Sequence, residues 1–330
     1  MKLKLYNYAF LAGCLIPALF SGESLAQNKP ADSLKSKTAA SLKVAEPQKT
    51  LDEVVISESL NKSHSTVRLG VADIKRGQGI FMDDAINTNV PGVLMLRRSV
   101  SGGQQFNIRG YGNGLGARGA NNNFDSQGLK MYLNGIPVTD AEGVTIMDDI
   151  DFGSIASVEV LKGPAGSTHG FAIAGVVNMQ TQQAERNKVS IGQNIAVGDF
   201  GLKRYTTSLQ VGGQHSSLLI SYGKQLSDGF MPHNESKKDF LNIVGDVQLN
   251  EKQKLTSYFG YANSFDERAG ELTIDQYNNK DYSGNPNYIK NDGHSEVIGY
   301  RFGLGHSSAF NKFLLINTSV FGSSNKTYMN

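Results

Sequence analysis

Apolar and polar residues alternate along the chain from residue 187 onward, in seven segments of about ten residues each. Such alternation predicts β-strands with two different faces, and about ten residues suffice for a tilted strand to cross a bilayer. The opposite face carries Ser, Gly, Asn, Thr, Gln and Lys, as expected of a polar lumen. The apolar positions of successive segments are Val189, Ile191, Ile195 and Val197; Tyr205, Leu209 and Val211; Leu218, Ile220, Tyr222 and Leu226; Leu241, Ile243, Val247 and Leu249; Leu255, Phe259 and Tyr261; Ile298, Tyr300, Phe302 and Leu304; and Leu314, Ile316 and Val320.

The connections between these segments give a second test of the same interpretation. Every second connection is a tight polar turn, at residues 213–216, 250–253 and 309–312. The others vary in length, and the one at 265–296 is about thirty residues long. Outer-membrane barrels have this order, with short periplasmic turns and longer extracellular loops. A soluble β-sandwich is the alternative, but nothing in a sandwich requires the order.

Residues 67–184 follow a different pattern, which predicts a compact α+β domain. A helix is expected over Met82–Asn89 and ends at Val90-Pro91-Gly92. Turns are expected at Asn134-Gly135 and at Gly163-Pro164. The predicted strands are 105–108, 130–134, 155–161 and 174–179.

The first residues resemble an export signal. Lys2 and Lys4 precede an apolar stretch at residues 8–20, and Ser24-Leu25-Ala26 offers a cleavage site before Gln27. An uncleaved membrane anchor is the alternative, but the apolar stretch is short for a spanning helix. Lipidation at Cys14 also stays open, because Leu11-Ala12-Gly13-Cys14 resembles a lipobox.

Residues 27–50 are rich in Lys, Ser, Ala and Pro, so we expect a disordered periplasmic tail. The extended apolar patch at residues 51–59 follows it and contains three β-branched residues in succession, Val54, Val55 and Ile56. It is either an ordinary first strand or a peptide that adds to the edge of a partner's sheet.

Composition and charge argue against several other functions. A net charge of +2 gives no electrostatic basis for binding nucleic acid. Removal of the signal would leave the chain without cysteine, and no histidine has metal-ligand spacing, so no metal site and no catalytic residues are predicted. The G-x-G-x-x-G pattern at residues 114–119 lacks both the preceding parallel strand and the following helix that dinucleotide binding needs.

Three stretches resemble the plug domain of TonB-dependent outer-membrane receptors. Residues 103–112 (GQQFNIRGYG) are similar to its "IRG" segment, and residues 131–138 (MYLNGIPV) to its "YVDGIP" segment, with Asn134 in place of Asp. Residues 155–165 (IASVEVLKGPA), followed by Gly175-Val176-Val177-Asn178, resemble its "IERIEVLRGP…GGVINI" segment. The matching plug-motif positions are Arg109, Gly110, Asn134, Gly135, Glu159, Lys162, Gly163 and Pro164.

The resemblance implies an α+β plug domain followed by antiparallel transmembrane β-barrel strands, of which about seven of 22 are present. It implies a signal peptide at 1–26, a tail at 27–50, a TonB box at 51–59, a plug domain at 60–186 and the first part of the barrel at 187–330. An open sheet would leave unpaired edges in lipid, so we expect further strands after Asn330 or from elsewhere. The TonB-box residues would be Asp52, Glu53, Val54, Val55, Ile56 and Ser57.

The resemblance also implies a function, namely uptake across the outer membrane energised by TonB of the inner membrane. The implied partners are TonB, outer-membrane lipid and a small-molecule metal chelate, with an iron complex as the expected substrate and no cofactor. Arg109 is expected to pair with a carboxylate of the barrel wall. Candidate substrate-binding residues are Arg97, Arg98 and Arg118, whose charge suits an anionic ferric chelate, although solvated surface charge is the alternative for each. Asn122 and Gln127 are added because the stretch 118–127 resembles the ferric-citrate branch of the family. Cobalamin or oligosaccharide uptake, and a passive or orphan module that transports nothing, are the alternatives.

Overall fold

The computed structural model describes residues 66–74, 81–97, 99–111, 128–170 and 172–330. All of them fall within one compact unit, Glu58–Asn330. None of the helices in these described ranges is long and apolar enough to cross a membrane. The predicted signal, tail and TonB box at 1–59 lie outside the described residues.

The first part of the described chain is a small α+β domain built on a mixed sheet. Five strands lie in the order β1-β6-β7-β4-β5, in which β4 and β7 are parallel and the other pairs antiparallel; β2 and β3 form a separate hairpin. The elements are β1 (Thr66–Leu69), α1 (Val71–Ile74), α2 (Met82–Asn89), β2 (Val93–Leu96), β3 (Gln105–Ile108), β4 (Leu129–Leu133), β5 (Ile136–Pro137), β6 (Ile155–Lys162), α3 (Gly166–His169) and β7 (Gly175–Thr181). A 3₁₀ turn, Phe152–Ser154, precedes β6.

The predicted helix and strands of this domain are confirmed with small shifts in their bounds. The helix over Met82–Asn89 and the strand over Gln105–Ile108 lie where the pattern placed them. The Asn134-Gly135 turn links β4 to β5, with both residues at positive φ, 51° and 80°, as a two-residue hairpin turn requires. The short elements β1, β2 and α1 carry too few residues to show a period, so the pattern did not predict them.

The second part is a seven-stranded antiparallel sheet in which each strand pairs with the next along the chain. The strands are β8 (Val189–Val197), β9 (Lys203–Gly212), β10 (Ser216–Ser227), β11 (Ser236–Asn250), β12 (Gln253–Glu267), β13 (His294–Ala309) and β14 (Leu315–Met329). All seven predicted segments are therefore strands. Two short helices, α4 (Ile274–Asn278) and α5 (Pro286–Lys290), lie in the connection between β12 and β13.

The short and long connections lie at opposite ends of this sheet. Residues 213–215, 251–252 and 310–314 lie at what we call the turn end. Residues 198–202, 228–235 and 268–293 lie at what we call the loop end. The predicted order of short and long connections is confirmed, and it gives the sheet two distinct ends.

The inner face of the sheet is less polar than the sequence suggested. Positions facing the α+β domain include the apolar residues Leu219, Phe240, Val244, Tyr258 and Ala262, all buried. Leu219, Val244 and Tyr258 belong to the same core as the buried residues of the α+β domain. A wholly polar lumen was therefore the wrong expectation here, because the α+β domain covers these positions and they pack against it.

Candidate functional site: the plug motifs and their attachment to the strand sheet

The "IRG" and "VLKGP" segments meet at the turn that follows α2. The backbone N–H of Arg109 donates to the Gly92 carbonyl at 2.9 Å, and the Lys162 ammonium donates to the Pro91 carbonyl at 2.9 Å. Arg109 adopts a left-handed backbone, with φ of 52°, and its side chain is exposed. The two motifs thus form one structural junction inside the domain.

The other motif residues of this junction have local roles. Gly110, with φ of 87°, donates its N–H to the Asn107 side chain at 3.0 Å. A Cβ on Gly163 would lie 3.7 Å from the Arg109 guanidinium, and Pro164 follows it in an exposed turn. Glu159 lies opposite Arg68 of β1. No carboxylate of the described ranges forms an ion pair with Arg109, so the partner predicted for it is not on β8–β14.

Asn134 ties its turn to the end of β7. Its side-chain oxygen accepts from the Thr181 N–H at 2.9 Å, and its side-chain amide donates to the Thr181 hydroxyl at 2.9 Å. An Asp at this position, the residue usual in the resembled motif, keeps the first bond and accepts from the Thr181 hydroxyl. The substitution noted in the sequence therefore preserves the geometry of the motif.

Arg97 has a structural environment of its own. Its guanidinium lies 3.5 Å from the Asp83 carboxylate and 3.8 Å above the centre of the Phe81 ring. Burial raises the pKa of the Asp83 carboxyl, and the charge of Arg97 opposes that shift. The other candidate substrate residues, Arg98, Arg118, Asn122 and Gln127, lie outside the described residues.

Arg301 of β13 makes the strongest connection between the sheet and the α+β domain. Its Nε and Nη2 donate to the two carboxylate oxygens of Asp149 at 2.8 and 3.1 Å. Nη1 donates to the Val138 carbonyl at 2.6 Å, and Nη2 also donates to the Ile146 carbonyl at 2.5 Å. The side chains of Arg301 and Asp149 are only 7% and 6% exposed. A buried, bidentate pair whose cation also satisfies two carbonyls meets the conditions under which burial of charge is tolerated.

Side chains from β9, β11 and β12 complete this connection around the next turn. Arg204 of β9 donates to Asp151 at 2.9 Å, and Asp151 also caps the 3₁₀ turn by accepting from the Gly153 N–H. Asn242 of β11 accepts from the Asp151 N–H at 2.5 Å and donates to the Asp149 carbonyl. Tyr258 of β12 donates to Asp149 at 3.3 Å. We call this set the clasp: Asp149 and Asp151 with Arg204, Asn242, Tyr258 and Arg301.

A second attachment lies toward the loop end. The Ser101 hydroxyl donates to the buried carboxylate of Asp266 at 2.7 Å, and Ser236 donates to the same carboxylate at 2.7 Å. Gln225 donates to the Val100 carbonyl. The loop at 99–104 thereby contacts the ends of β10, β11 and β12. Asp148 ties that loop to the clasp by accepting from the Gly103 N–H at 2.8 Å.

Sequence reasoning missed the clasp although both of its halves carry a signal. Asp148, Asp149 and Asp151 give three carboxylates in four residues. Arg204, Lys238 and Arg301 are the long cations at buried inward positions on β9, β11 and β13. Each half alone resembles solvated charge. Their pairing depends on contacts between residues up to 152 positions apart, which no local pattern contains.

The connections at the loop end contact one another. His233 bonds the Gly293 carbonyl through Nε2 at 3.0 Å, and Glu267 accepts from the Glu235 N–H at 2.9 Å. A capping box formed by Thr273 and Gln276 begins α4. The loop predicted at 265–296 is therefore structured. No group of three or more metal-ligating side chains that suits a metal ion occurs within the described ranges.

Comparison with known proteins connects these features to a family. Residues 59–176 match the TonB-dependent receptor plug domain. The chain is 28% identical over 167 residues to the vitamin B12 transporter BtuB of Vibrio vulnificus, a match that covers 50% of this chain and 25% of that protein.

Solved structures share the fold of both parts. The unliganded ferric citrate transporter FecA aligns with a TM-score of 0.60 at 18% identity, over 80% of this chain and 40% of its own. BauA, the ferric preacinetobactin receptor of Acinetobacter baumannii, aligns with a TM-score of 0.58 at 15% identity, over 80% and 38%. The chain therefore spans less than half the length of these relatives.

Proposed function

We propose that this chain, whose plug domain and strand sheet are those of the TonB-dependent receptors, is part of an outer-membrane receptor that takes up a metal chelate with energy from the inner membrane. The observation that carries the proposal is the seating of the plug domain on the inner face of the strand sheet. A plug held there by a buried clasp obstructs the space that the strands partly enclose. Transport then requires work on the plug, which is what TonB would supply.

The order of elements suggests how that work would reach the plug. Asp52, Glu53, Val54, Val55, Ile56 and Ser57 would pair with TonB by adding a strand to its sheet. The first described element after them is β1, an edge strand whose single partner among the described strands is β6. Tension from the periplasm would therefore act on the β1–β6 ladder first. The clasp joins the plug to the sheet through a different segment, residues 148–151.

Substrate would enter from the loop end and meet the plug there. The plug loop at 99–104 lies toward that end, and Arg97 precedes it in sequence. We assign the binding of an anionic chelate to Arg97, Arg98, Arg118, Asn122 and Gln127 together with the connections at 228–235 and 268–293. The protein acts as a transporter without a cofactor of its own, and the metal is cargo.

An iron complex is the substrate class we favour. Solved structures that share the fold include transporters or receptors named for ferric citrate and ferric preacinetobactin. Cobalamin is the second candidate, because a relative that is 28% identical over 167 residues is named a vitamin B12 transporter. Oligosaccharide uptake and a passive, non-transporting module remain alternatives with no observation that favours them.

Growth tests separate these substrates. The full-length receptor would be expressed in cells lacking their own ferric and cobalamin receptors, and growth would be limited either by iron or by cobalamin. We expect rescue by ferric citrate or another ferric chelate. Rescue by cobalamin alone would replace the iron proposal with the second candidate. Absence of rescue by any supplied compound, with the protein present in the outer membrane, would favour the passive module.

A further inference from the structure

The outward face of the strand sheet changes character sharply toward the loop end. One cross-strand row is apolar and contains Leu209, Ile220, Ile243, Phe259 and Phe302. The next row toward the loop end contains Tyr222, Leu241, Tyr261 and Tyr300, with the Tyr261 and Tyr300 rings 5.1 Å apart. Tyrosines concentrate where a bilayer meets water, because their rings are apolar and their hydroxyls polar.

Three lysines lie in the next two outward rows beyond this tyrosine row, Lys224 in the first and Lys203 and Lys237 in the second, and we call them the lysine cluster. Lys203 of β9 and Lys237 of β11 both lie opposite Leu226 of β10 in the strand register. Lys224 lies two residues before Leu226 on the same face. The three ammonium groups therefore surround one apolar residue on three adjacent strands.

The depth of the lysine cluster matches the headgroup layer of a membrane. A strand rises about 3.3 Å per residue and tilts by about 45°, so along the membrane normal Lys224 lies about 5 Å beyond Tyr222, and Lys203 and Lys237, in register with Leu226, lie about 9 Å beyond it. The polar layer on each side of a bilayer is about 5–8 Å thick. Lys224 thus lies at the height of the lipid phosphates, and the flexible four-carbon stems of Lys203 and Lys237 let their ammonium groups reach that height from just above it.

The charges around the cluster are partly balanced in the protein itself. Lys224 lies 3.9 Å from Asp239, and Lys237 lies 2.7 Å from Glu235, while no carboxylate of the described residues forms an ion pair with Lys203. Glu296 lies further along the row, beyond Phe265. The Lys224 and Lys237 side chains are 51% and 48% exposed. Exposed pairs of this kind contribute about 0–1 kcal/mol each, so a phosphate group competes with these carboxylates.

We infer that the lysine cluster binds the phosphorylated headgroup of a lipid in the outer leaflet. The inference rests on the proposed placement of the strand sheet in the outer membrane. The phosphate of such a lipid suits the site because it is an anion at the correct depth. The acyl chains of the same lipid would cover the apolar row below. Lysine ammonium groups bind phosphate as point charges and need no fixed hydrogen-bond geometry.

Binding of a diphosphorylated glucosamine-disaccharide lipid tests the inference. Full-length protein in nonionic detergent would be mixed with this lipid, and the retained copies would be counted by native mass spectrometry. We expect the triple variant Lys203→Gln, Lys224→Gln and Lys237→Gln to reduce retention about tenfold or more, because each lysine near a membrane surface strengthens the binding of anionic lipid about fivefold.

The matched control changes three lysines at the turn end, Lys188→Gln, Lys252→Gln and Lys312→Gln, which should leave retention unchanged. The dephosphorylated lipid with the same acyl chains should bind the unaltered protein weakly, and inorganic phosphate at the same concentration should not displace the intact lipid. Equal retention by the two triple variants would overturn the inference. Equal binding of the dephosphorylated lipid would make the acyl chains the ligand, and displacement by inorganic phosphate would make the ligand a free anion.

Measuring chelate uptake by the triple variant distinguishes a failure of this inference from a failure of the proposed function. The triple variant of the lysine cluster should still support growth on the transported chelate, because none of these lysines faces the plug. Loss of lipid retention with intact uptake supports lipid binding. The protein could instead retain lipid through the lysine cluster and yet transport nothing. That result would support lipid binding and contradict the transport function.

Discussion

Buried polar residues, rather than the sequence motifs, hold the plug to the strands. Arg301 donates four hydrogen bonds to the plug, of which two go to Asp149 and two to backbone carbonyls. The motif residues Arg109, Gly110, Lys162 and Gly163 make their hydrogen bonds within the plug instead. Sequence could identify these motif residues from their order along the chain. It could not identify the partner of Arg301, because only the folded chain brings residues 149 and 301 together.

Replacing Arg301 should be the most damaging single change at the clasp. Arg301→Met leaves the Asp149 carboxylate buried without its cation, which costs about 3–5 kcal/mol of the free energy of unfolding of the plug. Urea denaturation of the detergent-solubilised protein measures that free energy. Lys224→Met serves as the control, because its exposed pair with Asp239 contributes about 1 kcal/mol or less.

A double-mutant cycle separates loss of the pair from general damage. Asp149→Asn combined with Arg301→Met should cost less than the sum of the two single changes, by about 1 kcal/mol or more. Each single variant leaves one buried charge unpaired, whereas the double variant leaves none. Strictly additive costs would show that the two side chains do not stabilise the plug through each other.

His169 should make the stability of the plug depend on pH. Burial lowers the pKa of its imidazole, whose Nδ1 lies 3.1 Å from the Tyr132 hydroxyl. The folded plug therefore favours neutral His169. Its full stability is present above the pKa of an unfolded histidine, about 6.5, and is lost as the pH falls from there toward the lowered folded pKa.

His169→Gln should flatten this pH dependence, since glutamine keeps a polar group near Tyr132 and does not titrate. Denaturation of the plug at several pH values between 7.5 and 5 measures the effect. His215→Gln, at an exposed turn, should leave the dependence unchanged. A dependence that persists in the His169 variant would assign it to other groups.

At the scale of elements, the long alternating strands and most plug elements were predictable, whereas the short plug elements β1, α1 and β2 were not. Each of β8–β14 repeats its two-residue period often enough to identify both the strand and its outward face. The expectation for the inward face was wrong at Leu219, Phe240 and Val244, because a sequence does not state which surface covers that face. The role of the clasp cations could not be predicted for the same reason, because an inward lysine or arginine suits a water-filled lumen equally well.

The β1–β6 ladder should be the weakest part of the plug sheet. Among the described strands β1 has one neighbour, and it is largely exposed, whereas β7 lies between β6 and β4. Hydrogen exchange followed by mass spectrometry should therefore show faster exchange at Thr66–Leu69 than at Gly175–Thr181. Equal protection of the two strands would remove the basis for proposing that tension from the TonB box separates β1 first.

At the scale of the whole molecule, a plug domain and a strand sheet share one core. Plug residues such as Met131 and Met179 pack in the same cluster as Leu219 and Val244 of the sheet. The agreement between the plug motifs and the short and long connections predicted this architecture from the sequence. The substrate was not predictable, because the candidate residues from 112 to 127 form no regular pattern from which their arrangement follows.

Energised uptake is the central claim, and deletion of residues 52–57 tests it most directly. Cells expressing the full-length receptor would be given radiolabelled ferric chelate, and binding and uptake would be measured separately, with and without a proton-gradient uncoupler. We predict that the deletion and the uncoupler each abolish uptake while binding of the chelate is retained. Uptake that continues at the full rate in the deletion variant, or in uncoupled cells, would contradict the account.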